Sequence, residues 1–277
     1  MVLLDVFSNV SQQKKYKLIV AHFDHKMRKY SHQDATFVEN AASAYTLEIR
    51  VGTPEKKLLN EATARSARYA FLHQIAANNQ AAGIITAHHQ DDLIETSLLN
   101  LARGSRRVGL APFGSEQPLR PFKKISRKQI TEYAVEQNVT WREDPSNNEI
   151  SNPRNFVRNT LLSSASSKWR KDYLLAIQNM ANINEAVDTI LEAKLGVGQK
   201  KSGYSFSRSH ISSLSLDETA ELLLASLRAC APGTELDNRL VQELVIFAKT
   251  AKPGLKRPVN KHIELHLDRS SIKIVAH

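Results

Sequence analysis

The sequence of 277 residues lacks several features that identify whole classes of protein. It has one cysteine, Cys230, which excludes an internal disulfide framework and any cysteine-rich metal site. No apolar run approaches the roughly 20 residues that a membrane-spanning helix needs. The opening MVLLDVF lacks a basic segment, is interrupted by Asp5 and is too short for a signal peptide. These absences favour a reduced, cytoplasmic setting and no membrane partner.

Acidic residues are fewer than basic residues in this sequence. Lys and Arg total 38 against 28 for Asp and Glu, which gives a formal net charge of +10. Such an excess suggests a polyanionic partner, most often nucleic acid. The alternative is a solvated basic surface, and charge alone does not decide between the two.

Short apolar runs alternate with helical patterns up to Val139. The predicted strands are residues 18–21, 47–51 and 84–87, and the predicted helices are residues 34–45, 60–78, 90–102 and 126–138. This alternation predicts an α/β fold with a mostly parallel sheet and helices on both faces.

The pattern changes beyond Arg154 to mainly helical segments. Helices are predicted over residues 155–162, 169–195, 216–229 and 236–250, and residues 262–275 alternate as a β-hairpin with its turn near Asp268. We therefore divide the chain into an α/β domain (1–139), a transition segment (140–162) and a mainly helical domain with a terminal hairpin (163–277).

Polar side chains follow two of the predicted strands. AHFDHKMR (21–28) follows the first, and TAHHQDDLIET (86–96) follows the third and opens a helix. Ligands of open α/β sheets bind outside the carboxyl ends of the strands, so both segments are candidate binding loops. An ordinary connecting loop is the alternative for AHFDHKMR.

Asp92 and Glu95 are three residues apart, so a helix presents both carboxylates on one face, with Asp91 just before them. Paired carboxylates near a strand end can hold Mg²⁺ beside a phosphate, or one can act as a general base. The alternatives are a solvated acidic helix start, or zinc on His88 and His89, whose spacing matches no common zinc pattern.

Arginines recur in three further segments. Arg65 and Arg68 share a helix face in ARSARY, RGSRRVGL (103–110) combines arginines with glycines, and Arg154 and Arg158 open a predicted helix. Forked guanidinium donors suit phosphate, and helix starts favour anions. Pairing with surface carboxylates, or a flexible tether, is the alternative.

Taken together, AHFDHKMR, ARSARY, TAHHQDDLIET, RGSRRVGL, RPF, DPSN and RNFVR resemble, in order and approximate spacing, the bacterial tRNA(Ile)-lysidine synthetase family. That family belongs to the N-type ATP pyrophosphatases, the PP-loop superfamily. The resemblance covers about residues 1–162 and implies a Rossmann-like sheet of the adenine nucleotide alpha hydrolase type. The helical C-terminal part resembles the family's tRNA-binding extension only in length and general character.

The resemblance implies a ligase that forms a carbon–nitrogen bond in two steps. ATP adenylates the C2 carbonyl oxygen of the wobble cytidine in tRNA(Ile) with a CAU anticodon and releases pyrophosphate. The amine of L-lysine then displaces AMP and forms lysidine. The implied cofactors are ATP and Mg²⁺, and a homodimer is a further expectation.

The resemblance also implies roles for individual residues. The catalytic set is Arg65, Arg68, Asp92, Glu95, Arg154 and Arg158; the ATP-binding set is His22, Asp24, His25, Arg28 and His88; the metal set is Asp91, Asp92 and Glu95.

The sequence departs from the family in having no SGGxDS phosphate loop. MVLLDVF matches the helix that follows this loop, so the first, central strand is missing too, and two inner sheet edges should lie unpaired. We expect that the recorded start lies downstream of the true one. A genuine fragment and an RNA-binding protein without catalysis are the alternatives. A thiolase of the same superfamily with cysteine pairs is disfavoured by the single Cys230.

Overall fold

The structure is a computed structural model that describes residues 1–14, 16–27, 30–55, 61–114, 118–143, 152–200, 203–231 and 237–276. The chain forms two compact units. The first comprises Met1–Leu99 and Pro112–Arg170, and the second comprises Asn100–Ala111 and Lys171–His277. The first unit therefore takes in the described part of the predicted transition segment. No helix in the described ranges is long and apolar enough to cross a membrane.

The elements follow one another along the chain in this order. The sequence begins with α1 (Val2–Lys14), β1 (Ile19–Phe23), α2 (Ser31–Ala44), β2 (Glu48–Gly52), α3 (Glu61–Asn78), α4 (Gln90–Ala102) and α5 (Arg107–Leu110). It continues with a 3-10 turn (Pro121–Lys124), α6 (Arg127–Glu136), α7 (Pro153–Phe156), a π-helical segment (Val157–Leu162) and α8 (Ser167–Gly198). It ends with β3 (Gln199–Lys200), β4 (Gly203–Ser207), α9 (Arg208–Ser213), α10 (Leu216–Cys230), α11 (Asn238–Thr250), β5 (Lys256–Pro258), β6 (Ile263–Leu267) and β7 (Ser271–Ala276).

The sheet of the first unit is parallel, as the sequence predicts. β1 and β2 pair in register from Ile19 opposite Glu48 to Phe23 opposite Gly52. The predicted third strand, residues 84–87, forms only a single parallel bridge between Ile85 and Leu119. In the part of the chain that the structure describes, β1 pairs with β2 alone. A β-strand needs a neighbour that is hydrogen-bonded to it at several successive residues. Residues 84–87 have such a partner at one position, so they do not form a strand of the sheet.

MVLLDVF forms the first half of helix α1. Val2 is buried with Ala134 and Val139, so this helix packs against α6. The Asp5 carboxylate accepts a hydrogen bond from the Tyr45 hydroxyl and another from the Tyr133 hydroxyl, each 2.7 Å long. One carboxylate thus ties α1 to the end of α2 and to α6.

Asp5→Leu is expected to lower the free energy of unfolding by about 1–3 kcal/mol, because two tyrosine hydroxyls lose their acceptor. Burial and the hydrogen bond to Asp5 raise the pKa of Tyr45 from 10.0 to about 12. The stability that this proton contributes is present below pH 10 and is lost as the pH rises towards 12, since the unfolded tyrosine ionises first. Urea denaturation at a series of alkaline pH values should show that the free energy of unfolding falls less with rising pH in Asp5→Leu than in the wild type. If the free energy of unfolding fell equally in both proteins, the hydrogen bond between Asp5 and Tyr45 would not be the cause.

The second unit is built on an antiparallel sheet with strand order β3-β4-β7-β6-β5. The predicted terminal hairpin is present as β6 and β7, and the three further strands were not predicted. Helices α10 and α11 pack on one core with this sheet. Gly203 lies at φ 139°, and a Cβ there would overlap the Ile274 carbonyl oxygen, so β4 and β7 approach closely only because this residue is glycine.

Candidate functional site

The start of helix α4 carries a buried carboxylate that two arginines hold. Glu95 is fully buried. Arg158 donates from Nε to Glu95 Oε1 at 2.7 Å and from Nη2 to Oε2 at 2.9 Å, and Arg154 Nε donates to Oε2 at 3.0 Å. Both oxygens of Glu95 are therefore engaged by guanidinium groups. Burial opposes the charge on Arg158, but the hydrogen bonds and charge of Glu95 outweigh it and raise the pKa of Arg158.

Asp92 belongs to the same cluster. Its Oδ1 lies 3.4 Å from Arg154 Nη2 and 3.5 Å from Arg158 Nη2, and its Oδ2 accepts the His89 backbone N–H at 3.0 Å. Local sequence explains why the two arginines point here. Asn152 caps α7 by accepting the Arg154 N–H at 2.9 Å, and the four-residue spacing puts Arg154 and Arg158 on one face. The structure thus brings together four of the six predicted catalytic residues.

The other two predicted catalytic residues, Arg65 and Arg68, lie on α3 around one aromatic ring. Their guanidinium carbons are 4.8 and 5.5 Å from the centroid of the Tyr69 ring. Burial lowers the pKa of Arg68, and the charges of Arg65 and Arg154 lower it further.

The segment after β1 holds most of the predicted ATP-binding residues. Asp24 is buried and accepts the Lys26 N–H at 2.9 Å. Burial raises the pKa of Asp24, but hydrogen bonds from Ser31 and Lys26 outweigh it and lower the pKa overall. Burial lowers the pKa of His22 and of His25. Arg28 lies outside the described residues.

His88 is the remaining predicted ATP-binding residue. Burial, with the charges of Arg120, Arg65 and Arg68, lowers its pKa to about 4 although Asp92 acts in the opposite direction, so the ring is neutral near pH 7. Its Nδ1 lies 2.8 Å from Thr86 Oγ1.

Phe113 and Arg120 extend this region and received no individual role from the sequence. The Phe113 ring lies 5.1 Å from His88, and the Arg120 guanidinium lies 4.7 Å from the Phe113 centroid. The motif RPF contains Arg120 and was one available signal. Phe113 has a φ of 67°, a strained conformation that sequence does not reveal.

Among the residues that the structure describes, no hydrogen-bond partner is found for three buried polar atoms in these segments. They are His25 Nδ1, Tyr69 Oη and Arg120 Nε. Buried polar groups are nearly always paired in folded proteins, so a group of unpaired atoms beside arginines indicates a place where a polar ligand binds.

The predicted metal set of Asp91, Asp92 and Glu95 is divided between two groups of hydrogen bonds and stays a prediction. Asp91 Oδ2 accepts the Arg127 N–H at 3.0 Å, and Oδ1 pairs with Arg170, which also donates to the Leu162 carbonyl at 2.5 Å. Successive helix residues point about 100° apart, so Asp91 faces α6 and α8 while Asp92 and Glu95 face the arginines. Across the described ranges, no three His, Cys, Asp or Glu side chains are arranged to hold a metal ion. The three carboxylates do not converge on one point, and a role for any of them in binding Mg²⁺ stays a prediction.

In the segment RGSRRVGL, Arg107 contacts polar side chains of the second unit. Arg107 donates to Glu221 Oε2 at 3.0 Å, Asn184 Oδ1 at 3.1 Å and Asp188 Oδ1 at 2.6 Å. Burial opposes its charge, but these carboxylates raise the pKa of Arg107. Arg107 therefore anchors the loop and has little capacity for the phosphate that the sequence suggested.

Comparisons with known proteins agree with the fold. Residues 1–165 match the model of the PP-loop domain. The chain is 34% identical over 171 residues to the tRNA(Ile)-lysidine synthase of Thermotoga maritima, which covers 58% of this chain and 41% of the relative. It is 30% identical over 273 residues to that of Streptococcus pyogenes serotype M3, which covers 94% of this chain and 59% of the relative. The chain thus spans about half the length of the curated relatives it matches.

A solved structure gives the same fold at low identity. The U34-tRNA thiolase NcsA from Methanococcus maripaludis, with its [4Fe-4S] cluster, aligns with a TM-score of 0.51 at 13% identity, over 65% of this chain and 68% of that one. This likeness concerns the fold alone and agrees with the predicted α/β class. Because the PP-loop match spans more than half of the chain, the protein belongs to the PP-loop family.

Proposed function

We propose that the chain carries the nucleotide-binding and reaction centre of a tRNA(Ile)-lysidine synthase. The proposal rests on the PP-loop match, on relatives that carry this name and on the cluster at the start of α4. The PP-loop family uses ATP. The wobble cytidine, L-lysine and the adenylated intermediate are the finer parts of the proposal.

The observation that carries the proposal is the pair Arg154 and Arg158, held on buried Glu95 beside the neutral ring of His88. Adenylation develops negative charge on phosphate oxygens. Cations that are already fixed in place stabilise such charge without reorganising during the reaction. Glu95 fixes both guanidinium groups by engaging one edge of each.

In the first proposed step, the C2 oxygen of the cytidine attacks the α-phosphorus of ATP. The bond from that phosphorus to the bridging oxygen breaks, and pyrophosphate leaves with the electron pair. Arg65, Arg68, Arg154 and Arg158 would bind the phosphate oxygens. The unpaired atoms His25 Nδ1 and Tyr69 Oη would contact polar atoms of the nucleotide.

In the second proposed step, the lysine amine attacks C2, the C2–O bond to the adenylate breaks, and AMP leaves. The amine loses a proton, and Asp92 is the candidate acceptor. Asp92 suits this role better than Glu95, because both Glu95 oxygens accept short hydrogen bonds from guanidinium groups while Asp92 has only long contacts with them. We assign no step to Mg²⁺, because its predicted ligands do not converge on one point.

The basic surplus of +10 supports tRNA as the macromolecular partner. Neutralising phosphates releases counterions, so binding should weaken steeply with salt. Because the proposed substrates are tRNA and ATP, we propose that the protein acts in the cytoplasm. A non-catalytic RNA-binding protein is the second candidate, since the same basic surplus would serve RNA binding without a reaction.

Pyrophosphate release tests the proposal. It should be measured with ATP, L-lysine and a tRNA(Ile) transcript with a CAU anticodon, for the chain of 277 residues and for a form extended through the in-frame codons upstream of Met1. Release in the extended form should require all three substrates. Arg158→Met should lower it by about 100-fold or more, because one preorganised cation is lost at the developing charge.

Lys128→Met is the matched control, because Lys128 is exposed and pairs with Glu132, which is exposed too. It should leave release unchanged. Release that does not need lysine would contradict the proposed reaction. Salt-sensitive tRNA binding without release by either form would favour the non-catalytic candidate.

A further inference from the structure

Arg120 is a half-buried cation of the first unit without a counter-ion in the part of the chain that the structure describes. Its Nε atom is buried and has no hydrogen-bond partner, and no carboxylate of the described residues pairs with the guanidinium group. Arg154 and Arg158, by contrast, are held by Glu95. Burying a charge is costly unless it is paired, and buried polar atoms are nearly always hydrogen-bonded. The arrangement therefore indicates that a ligand with an oxyanion completes the contacts of Arg120.

The backbone places Arg120 at the edge of the sheet where ligands bind. Leu119 forms the parallel bridge with Ile85 and accepts a hydrogen bond from the Thr86 N–H at 2.9 Å. The two segments run in the same direction, so Arg120 and His88 both follow the bridge on its carboxyl side. Ligands of open α/β sheets bind beyond the carboxyl ends of the parallel strands.

The Phe113 ring contacts both of these side chains. Its centroid lies 4.7 Å from the guanidinium carbon of Arg120 and 5.1 Å from the centroid of the His88 ring. A ring face attracts a guanidinium group without using its N–H donors. The φ of 67° at Phe113 is unfavourable for a bulky residue, and such conformations cluster where ligands bind. Phe113 thus holds Arg120 in place and leaves its donors available.

Charges of opposite sign act on the His88 ring. Burial lowers the pKa of His88, the charge of Asp92 raises it, and the charge of Arg120 lowers it further, to about 4 in all. A guanidinium group, an aromatic face and a carboxylate therefore surround an imidazole that is neutral near pH 7. L-lysine carries the complementary groups, which are a carboxylate, a chain of methylenes and an amine.

We propose that Arg120 and Phe113 select the amino acid: Arg120 binds the α-carboxylate of L-lysine, and the Phe113 ring packs on its methylene groups. Guanidinium and carboxylate match as a forked, charge-assisted pair. The amine then points towards Asp92, the candidate proton acceptor. The inference rests on the proposed function, because L-lysine is a substrate of that reaction. A phosphate group is the other oxyanion that would satisfy Arg120, and the tests below distinguish the two.

Cadaverine, which is lysine without its carboxylate, tests the contact with Arg120. AMP release by the extended form should be measured with each amine at saturating ATP and tRNA, since AMP leaves when the amine attacks. The wild type should favour lysine in kcat/KM by about 100-fold or more, because a site built to pair with a carboxylate rejects an analogue without it. Arg120→Met should lower kcat/KM for lysine by about 100-fold and leave the value for cadaverine unchanged.

Lys123→Met is the matched control, because Lys123 is an exposed cation in the 3-10 turn that follows Arg120. It should leave both values unchanged, and circular dichroism of both variants should match the wild type. If Arg120 bound phosphate, Arg120→Met would lower the rates with both amines alike and raise the KM for ATP. That result, or a wild type without a preference for lysine, overturns the inference. AMP release that needs no amine would instead contradict the proposed reaction.

Phe113→Leu tests the aromatic ring separately from the cation. It should raise the KM of both amines by about threefold to tenfold, because both carry the methylene chain that packs on the ring. A KM for cadaverine that stays at the wild-type value would overturn the contact between the ring and the methylenes.

Calorimetric titration of the 277-residue chain gives a readout that does not depend on turnover. L-lysine should bind about tenfold or more tightly than cadaverine, because of its charge-assisted pair with Arg120. Arg120→Lys, which keeps the charge without the forked donors, should retain part of this difference, and Arg120→Met should remove it. Equal binding of the two amines, or binding of neither, overturns the inference. Preferential binding of lysine without AMP release in either form would support the subsite and contradict the proposed reaction.

Discussion

Glu95→Leu is expected to lower the free energy of unfolding by about 3–5 kcal/mol, the cost of removing one partner from a buried ion pair. Glu95 is fully buried and both its oxygens accept hydrogen bonds from Arg154 and Arg158, whose side chains are only 27% and 20% exposed. The substitution would leave two guanidinium groups without their main acceptor in a poorly solvated place. Urea denaturation followed by circular dichroism measures the change.

Glu132→Leu is the matched control, because Glu132 is 61% exposed and pairs at 3.7 Å with exposed Lys128. Surface pairs of this kind contribute about 0–1 kcal/mol. Adding Arg158→Met to Glu95→Leu should recover part of the stability, because one unpaired buried cation is removed. If Glu95→Leu cost no more than Glu132→Leu, the arginines would have to be held by something other than Glu95.

Features that depend on neighbours in sequence were predicted correctly. The start of the helix predicted over residues 126–138 is an example. Ser126 Oγ accepts the Gln129 N–H at 3.2 Å, and the Gln129 side chain accepts the Ser126 N–H at 3.0 Å, so three residues determine the helix start. Asp92 and Glu95 share a helix face for the same local reason, and both face the candidate site.

Features that depend on distant residues were not predictable from one sequence. The groups that meet Glu95 lie 59 and 63 residues further along the chain, and the sequence pattern suggested a metal ion in their place. Arg107 contacts Asn184, Asp188 and Glu221, which lie 77 to 114 residues away. A basic loop that binds phosphate and one that docks on carboxylates of its own chain have the same composition.

The resemblance to the family identified the fold. In the described part of the sheet, β1 has a single strand neighbour. Residues 84–87 have the β-branched composition of a strand but form one bridge, since a strand forms through its neighbours as well as its composition. Residue preference alone therefore predicted more sheet than forms.

Asp91→Asn and Arg170→Met are each expected to destabilise the first unit. Because the two residues form one ion pair, each substitution removes the same contact, and the two effects should not add. Asp91 is 8% exposed and joins three elements: α4 by its own backbone, α6 through the Arg127 N–H, and α8 through Arg170. Arg170 also donates to the carbonyl of Leu162, the last residue of the π-helical segment that follows Arg154 and contains Arg158. A double-mutant cycle should give a coupling energy of about 1–3 kcal/mol, because a charge-assisted buried pair is lost by either change.

The same variants distinguish two roles for Asp91: an ion-pair partner that holds Arg170, and a ligand of a metal ion. If Asp91 holds Arg170, then Asp91→Asn and Arg170→Met should impair pyrophosphate release to a similar extent, since either change loosens the segment that positions Arg158. The Mg²⁺ concentration for half-maximal release should stay at the wild-type value in both. A ligand role for Asp91 would give the opposite pattern, with a raised Mg²⁺ requirement in Asp91→Asn alone and little coupling to Arg170. The geometry favours the tie, because both Asp91 oxygens already accept hydrogen bonds from the protein and leave little capacity for a cation.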